Sequence, residues 1–180
     1  MYLQLSPQQA QQLTDHALAE QPNEACGVIA GVGTQVREII PLKNIAAQPE
    51  QAYRIEDHGL AVTLFTLEKR GLSLLGFYHS HPQGEPVPSP SDVQQAAYPD
   101  VAYMIVGLRP APKLAAWNIR YGRVAPVELI VGHEQVAPTD DHLLTPSQRT
   151  SVLAGAVLAF IFVILLSVSL LPPAPELPLP

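Results

Sequence analysis

The chain has 180 residues, 47% of them hydrophobic and only 14% charged, with a net charge of −6. Residues 151–171 (SVLAGAVLAFIFVILLSVSLL) contain neither a charge nor a proline; the roughly 150 residues before them have an ordinary globular balance, enough for one core and hardly two. From Met1 to Arg149 there are 10 Lys and Arg against 15 Asp and Glu, and no basic run, which argues against a nucleic-acid partner; a lone Cys26 excludes an internal disulfide and any multi-cysteine metal site.

In chain order, Ser6-Pro7 reads as N-cap and first helical position, and Leu13, Ala17 and Leu18 form an apolar stripe that stops near Pro22. Residues 27–32 and 36–42 are apolar runs split by Gly31, Gly33 and Thr34, the pattern of a hairpin. Residues 52–55 read as a further strand. Leu60, Leu64 and Leu67 recur at helical spacing over 60–70, with a stop at Gly71. Residues 72–81 are apolar and then abruptly polar, as expected of a buried strand running into a site. Residues 82–90 hold four prolines and a glycine, a stiffened loop, and Pro90-Ser91-Asp92 opens a short helix. Residues 101–108, 114–120 and 124–131 read as strands, the last two joined by Tyr121-Gly122-Arg123. Strands and helices intermixed in one small domain predict an α/β or α+β sandwich over 1–131.

Beyond it the expected organisation is a tether (132–150), a membrane-spanning helix (151–171) and a short proline-rich tail (172–180). Residues 151–171 as a helix rise about 1.5 Å each and reach roughly 30 Å, a bilayer's hydrocarbon core. The N-terminus lacks the basic start of a secretory signal, and Arg149 precedes the span while the tail carries no Lys or Arg. The expectation is a single-pass, tail-anchored protein whose domain faces the cytoplasm. Ser151, Gly155 and Ala159 form a small-residue face on which two such helices could pair into a homodimer.

The informative stretch is Gly76-Phe77-Tyr78-His79-Ser80-His81-Pro82, followed by Ser89-Pro90-Ser91-Asp92. Histidines at i and i+2 on a strand point to one face, so His79 and His81 can reach the same ion. The proline-stiffened loop brings back Asp92 as a candidate third ligand. Two nitrogens and a carboxylate leave a fourth tetrahedral position open, the arrangement of a catalytic zinc. His-x-His alone is a weak signal; His-x-His-Pro with Ser and Asp at these offsets is far more specific.

Here the sequence resembles the JAMM metalloproteases, or MPN-plus domains, whose pattern is an upstream glutamate, His-x-His-Pro and then Ser-x-x-Asp. Glu24, His79-Ser80-His81-Pro82, Ser89 and Asp92 fit it, and Pro22 to Gly31 (PNEACGVIAG) looks like the compact bacterial branch. The resemblance implies a mixed β-sheet flanked by helices and one catalytic Zn²⁺ on His79, His81 and Asp92. It implies Glu24 as general base and acid and Ser89 as oxyanion donor. The activity implied is (iso)peptide hydrolysis beside the C-terminus of a ubiquitin-like or sulfur-carrier protein. The alternative is a non-catalytic MPN-type scaffold assembling a complex at the membrane; such relatives usually lack the ligands that this chain carries.

Overall fold

The computed structural model describes residues 2–132. Strand β1 (Tyr2–Leu5) leads into helix α1 (Pro7–Ala19), followed by the antiparallel pair β2 (Cys26–Val32) and β3 (Gln35–Leu42). Helix α2 (Asp57–Lys69), β4 (Ser73–His81), the short α3 (Pro90–Gln95), β5 (Ala102–Gly107), β6 (Lys113–Arg120) and β7 (Arg123–Val131) complete the domain.

The strands close into a barrel in the order β1-β3-β2-β4-β5-β6-β7. The expected mixed sheet with helices against it is present; its closure into a barrel, in place of an open sandwich layer, comes from β1, which sequence reading missed. Only four residues long, it pairs in parallel with β7, Tyr2 with Glu128 and Leu5 with Val131, burying Leu3 and Leu5. The weak seam is β1–β3, which meet in parallel at Gln4 and Gln35. Helix α1 covers the exposed β3 edge there. Gln9 Nε2 donates to the Val36 carbonyl at 3.1 Å and Gln12 Nε2 to that of Ile39 at 3.4 Å, satisfying groups that would otherwise invite another strand. A 13-residue helix is marginal alone. Three features hold it: fully buried Leu13 and Ala17, Pro7 in the first turn, and reciprocal bonds between Ser6 and Gln9.

Successive β2 residues face opposite sides of the sheet. Ile29 packs with Leu3, Leu13, Met104 and Val106, whereas Val28 packs with Phe77, Tyr103 and Ile119. The second cluster reaches Leu60 of α2 and Val93 of α3, so the helix that carries Asp92 is anchored to the core.

The strand expected at 52–55 is absent; a single bridge joins Ile55 to Asn44. Backbone groups there bond instead to the Asn44 side chain. No helix among the described residues is long and apolar enough to cross a membrane. The tether past Gly132, the 151–171 span, the tail and the Ser151/Gly155/Ala159 face lie outside the described residues.

Candidate metal centre and active site

Strand β4 pairs antiparallel with β2 and parallel with β5, His79 opposite Cys26 on one side and Ile105 on the other. Period-two alternation puts Phe77, His79 and His81 on one face and Tyr78 and Ser80 on the other. The loop after His81 is pinned at three points. Leu108 N–H donates to the His81 carbonyl (3.1 Å), Arg109 N–H to that of Gly84 (3.2 Å) and Trp117 Nε1 to that of Pro86 (2.9 Å). Gly107 permits this approach, since a Cβ there would lie 2.6 Å from the Glu85 carbonyl carbon and from Pro86 Cδ.

The loop ends at Ser89, the N-cap of α3, with Pro90 in the first turn. Asp92 Oδ2 accepts bonds from the Ser89 N–H and the Ser89 hydroxyl, both at 2.7 Å, while Ser89 Oγ accepts from the Asp92 N–H at 3.2 Å. One reciprocal box therefore starts the helix and aims the carboxylate. His79 Nε2 and His81 Nε2 lie 3.1 Å apart, His79 Nε2 is 3.4 Å from Asp92 Oδ1, and His81 Nε2 is 3.3 Å from Asp92 Oδ2. A tetrahedron with bonds of about 2.0–2.1 Å has edges of about 3.3 Å. The His79–His81 separation is close to one such edge; the two distances to Asp92 run to different carboxylate oxygens, and the three side chains each offer a ligand atom within 4.8 Å of the others, a group that can converge on one zinc ion.

The His81 tautomer and the neutral state of His79 suit that fit, although at His81 burial is outweighed by the Asp92 carboxylate and the Glu85 carbonyl beside it, which hold its imidazole above the ordinary range. His81 Nδ1 lies 3.0 Å from the Glu85 carbonyl, which can only accept, so Nδ1 carries the proton and Nε2 presents its lone pair to the site. Burial pushes the His79 imidazole below its ordinary range, toward the neutral form a metal needs. Burial also works against the Asp92 carboxylate, but the His79 and His81 imidazoles beside it and its bonds from Ser89 outweigh this and hold it well below the usual carboxylate range.

Glu24 precedes β2 and is 5% exposed. Ser80, between the two histidines but facing away, ties it to them. Ala25 N–H donates to Ser80 Oγ at 2.8 Å, and Ser80 N–H donates to the Ala25 carbonyl at 2.9 Å. Burial raises the Glu24 carboxyl to about 7, with His81 pulling it down and Asp92 pushing it up. Its Oε2 and His79 Nδ1 are the buried side-chain polar atoms without a partner among the described residues. A buried carboxyl poised near neutrality beside a metal-ligand set can both take and return a proton.

The structure brings together all five expected residues: Glu24, His79, His81, Ser89 and Asp92. Sequence reading missed Ser80, Asn44 and Tyr53, whose ring stacks on His79 at 4.4 Å between centroids. A cleft of about 460 Å³ opens beside Glu24, lined also by His16, Glu20, Cys26 and Lys43. Cys26 is no nucleophile: burial pushes its thiol up to about 12, and Sγ lies 3.4 Å from the Leu42 carbonyl. His16 bonds Tyr78 Oη at 3.0 Å and stays apart from the ligand set.

Comparison with known proteins places this geometry. Over 92 residues the chain is 44% identical to a probable TtuB-protein conjugate cleaving protease of Thermus thermophilus, covering 51% of this chain and 61% of the relative. It is 38% identical over 92 residues to a desampylase of Haloferax volcanii, covering 49% and 66%. The matches thus span somewhat under two thirds of each relative's length. The solution structure of a protein from Desulfitobacterium hafniense superimposes with a TM-score of 0.66 at 28% identity, covering 73% of this chain and 94% of that one. The family described as prokaryotic homologs of the JAB domain matches residues 6–120, more than half of the chain and all of the site, and the chain belongs to it.

Proposed function

We propose that the chain is a zinc-dependent (iso)peptidase that hydrolyses the bond following the C-terminal glycine of a ubiquitin-like or sulfur-carrier protein. The observation that carries this reading is the pairing of a convergent His79–His81–Asp92 ligand group with a buried carboxyl raised to about 7. A scaffold has no use for either, and a buried Glu24 oxygen without a partner costs stability that a proton-carrying role accounts for. The names of the two protein relatives, a conjugate-cleaving protease and a desampylase, favour the same substrate class.

When bound, zinc supplies Lewis acidity and makes water a nucleophile near neutral pH. Glu24 Oε2, which no protein group occupies, receives the attacking water's proton and delivers it to the departing nitrogen. Ser89 turns its hydroxyl from Asp92 toward the developing oxyanion, while the Ser89 N–H keeps its bond to Asp92 Oδ2. Tyr53 backs the His79 ring and keeps water from that side.

The test is incubation of the zinc-loaded full-length chain with Gly-Gly adducts of a ubiquitin-like protein. The wild type cleaves them. Glu24→Gln keeps about one zinc per chain and loses turnover by roughly 10²-fold or more, whereas a His79→Ala/His81→Ala chain loses zinc and turnover together. Near-normal turnover in Glu24→Gln, or full zinc occupancy in the double variant, overturns the reading.

The same proposal takes residues 151–171 as a membrane anchor that holds the domain on the cytoplasmic face, supported by an uncharged run long enough to span a bilayer. The full chain is then expected to stay with membranes through carbonate washing, and protease added outside spheroplasts is expected to spare the domain. Release by carbonate, or digestion of the domain, refutes this part.

A further inference from the structure

We propose that Asn44 is a positioning residue for the reaction, acting through Glu24; the inference rests on the reading of Glu24 as the proton carrier. Asn44 follows β3 on an irregular stretch and makes no contact with the ligand set. Its side chain nevertheless ties Glu24 to the loop that carries Tyr53. Nδ2 donates to the Glu24 carbonyl and to the Ala52 carbonyl, both at 3.0 Å. Oδ1 accepts from the Ala46 N–H at 2.9 Å and from the Arg54 N–H at 3.1 Å. Two donors and two acceptor lone pairs are all that an asparagine has, so this amide is fully used. Exchanging its oxygen and nitrogen would face an acceptor with two carbonyls, so the network fixes its orientation.

The partners are informative. Ala52 and Arg54 flank Tyr53, so one side chain grips both peptide neighbours of the ring that stacks on His79. Glu24 itself is bound into the same loop from both sides, its N–H donating to the Pro49 carbonyl at 2.7 Å and its carbonyl accepting from Asn44. No ladder bond holds this residue, because β2 begins at Cys26. The position of the Glu24 backbone, and hence of a carboxyl whose buried Oε2 has no partner, is set by this clamp together with Ser80. Proton transfer demands hydrogen-bond distance, and a misplacement of about 1 Å costs on the order of 10²-fold.

The experiment is a double-mutant cycle in the zinc-loaded full chain with an adduct that the wild type cleaves. Asn44→Asp keeps both accepted bonds and loses both donated ones. It is expected to lower kcat about tenfold or more, leave KM within about twofold and retain zinc. In a Glu24→Gln background the same change is expected to alter the residual rate less than twofold, because the group it positions is already disabled. Amide hydrogen exchange supplies a readout independent of turnover: the Glu24 N–H is expected to exchange faster in Asn44→Asp while the β4 amides do not change. Asn44→Ala repeats the series; should it not fold, Asn44→Asp carries the test. Equal losses in both backgrounds, loss of zinc, wild-type kcat, or unchanged exchange at Glu24 each overturn the role given to Asn44. Near-normal turnover in Glu24→Gln alone instead strikes the underlying reading of the site, and the exchange result then reports on the tether separately.

Discussion

The site has two sides built on opposite plans. The metal side, from His79 to Asp92, is local in sequence and, the unpartnered His79 Nδ1 apart, held by its own bonds: the two-residue strand period aims the histidines, the Glu85 carbonyl sets a tautomer, and the Ser89–Asp92 box aims the carboxylate. The glutamate side is assembled from Glu24 and the 44–54 loop through long-range side-chain bonds and leaves a buried oxygen without a partner. A ligand works by being held still at fixed separations. A proton carrier works by being undecided about its proton, and burial without a partner produces that state. The two sides should therefore respond to mutation with opposite signs of stability.

The largest effect tests the glutamate side in the metal-free, full-length chain. Burial raises the Glu24 carboxyl from 4.5 to about 7, so the fold prefers the protonated form. Its favourable contribution is complete below about pH 4.5 and is lost as pH rises through about 7. Gln cannot ionise. Glu24→Gln is therefore expected to match the wild type near pH 4.5 and to exceed it at pH 8 by on the order of 2–3 kcal/mol, measured by urea unfolding. Equal stability at pH 8 would break the comparison.

The smaller effect belongs to the metal side. Ser89→Ala removes an N-cap and the hydroxyl bond to Asp92, and is expected to destabilise the metal-free chain by about 1 kcal/mol. Zinc affinity should fall roughly 10–100-fold in competition with a chelator, since the carboxylate loses a group that orients it. A gain in stability, or unchanged affinity, would show that the box does not support the ligand.

The metal side was legible because its logic is written within a few residues: His-x-His needs only the strand period, and Ser-x-x-Asp is at once a ligand approach and a capping box. Glu24 was legible through family resemblance alone. Ser80 and Asn44 were not, because their partners lie far along the chain, 55 residues away for Ser80 and Ala25 and 20 for Asn44 and Glu24. No local pattern announces such pairs. The same physics hid β1 and made 52–55 look like a strand. Four alternating residues find most of their partners in the last strand, and the 52–55 segment gave two of its backbone bonds to the Asn44 side chain in place of a ladder.

That last strand also governs how the chain comes off the ribosome. Tyr2, at one end of the domain, pairs with Glu128 at the other; the Gly132 N–H then donates to the Leu5 carbonyl at 3.1 Å, sealing the seam. A nascent chain can form the β2–β3 hairpin and dock β4 on it while Leu3 and Leu5 still lack the β7 wall that buries them. Loop closure between the ends must follow all of this, and it is the step with the highest entropic cost. The segments bearing Glu24, His79, His81 and Asp92 are thus translated well before the barrel that steadies them can close. Completion of β7, not of the site, is the moment at which the polypeptide commits to its fold.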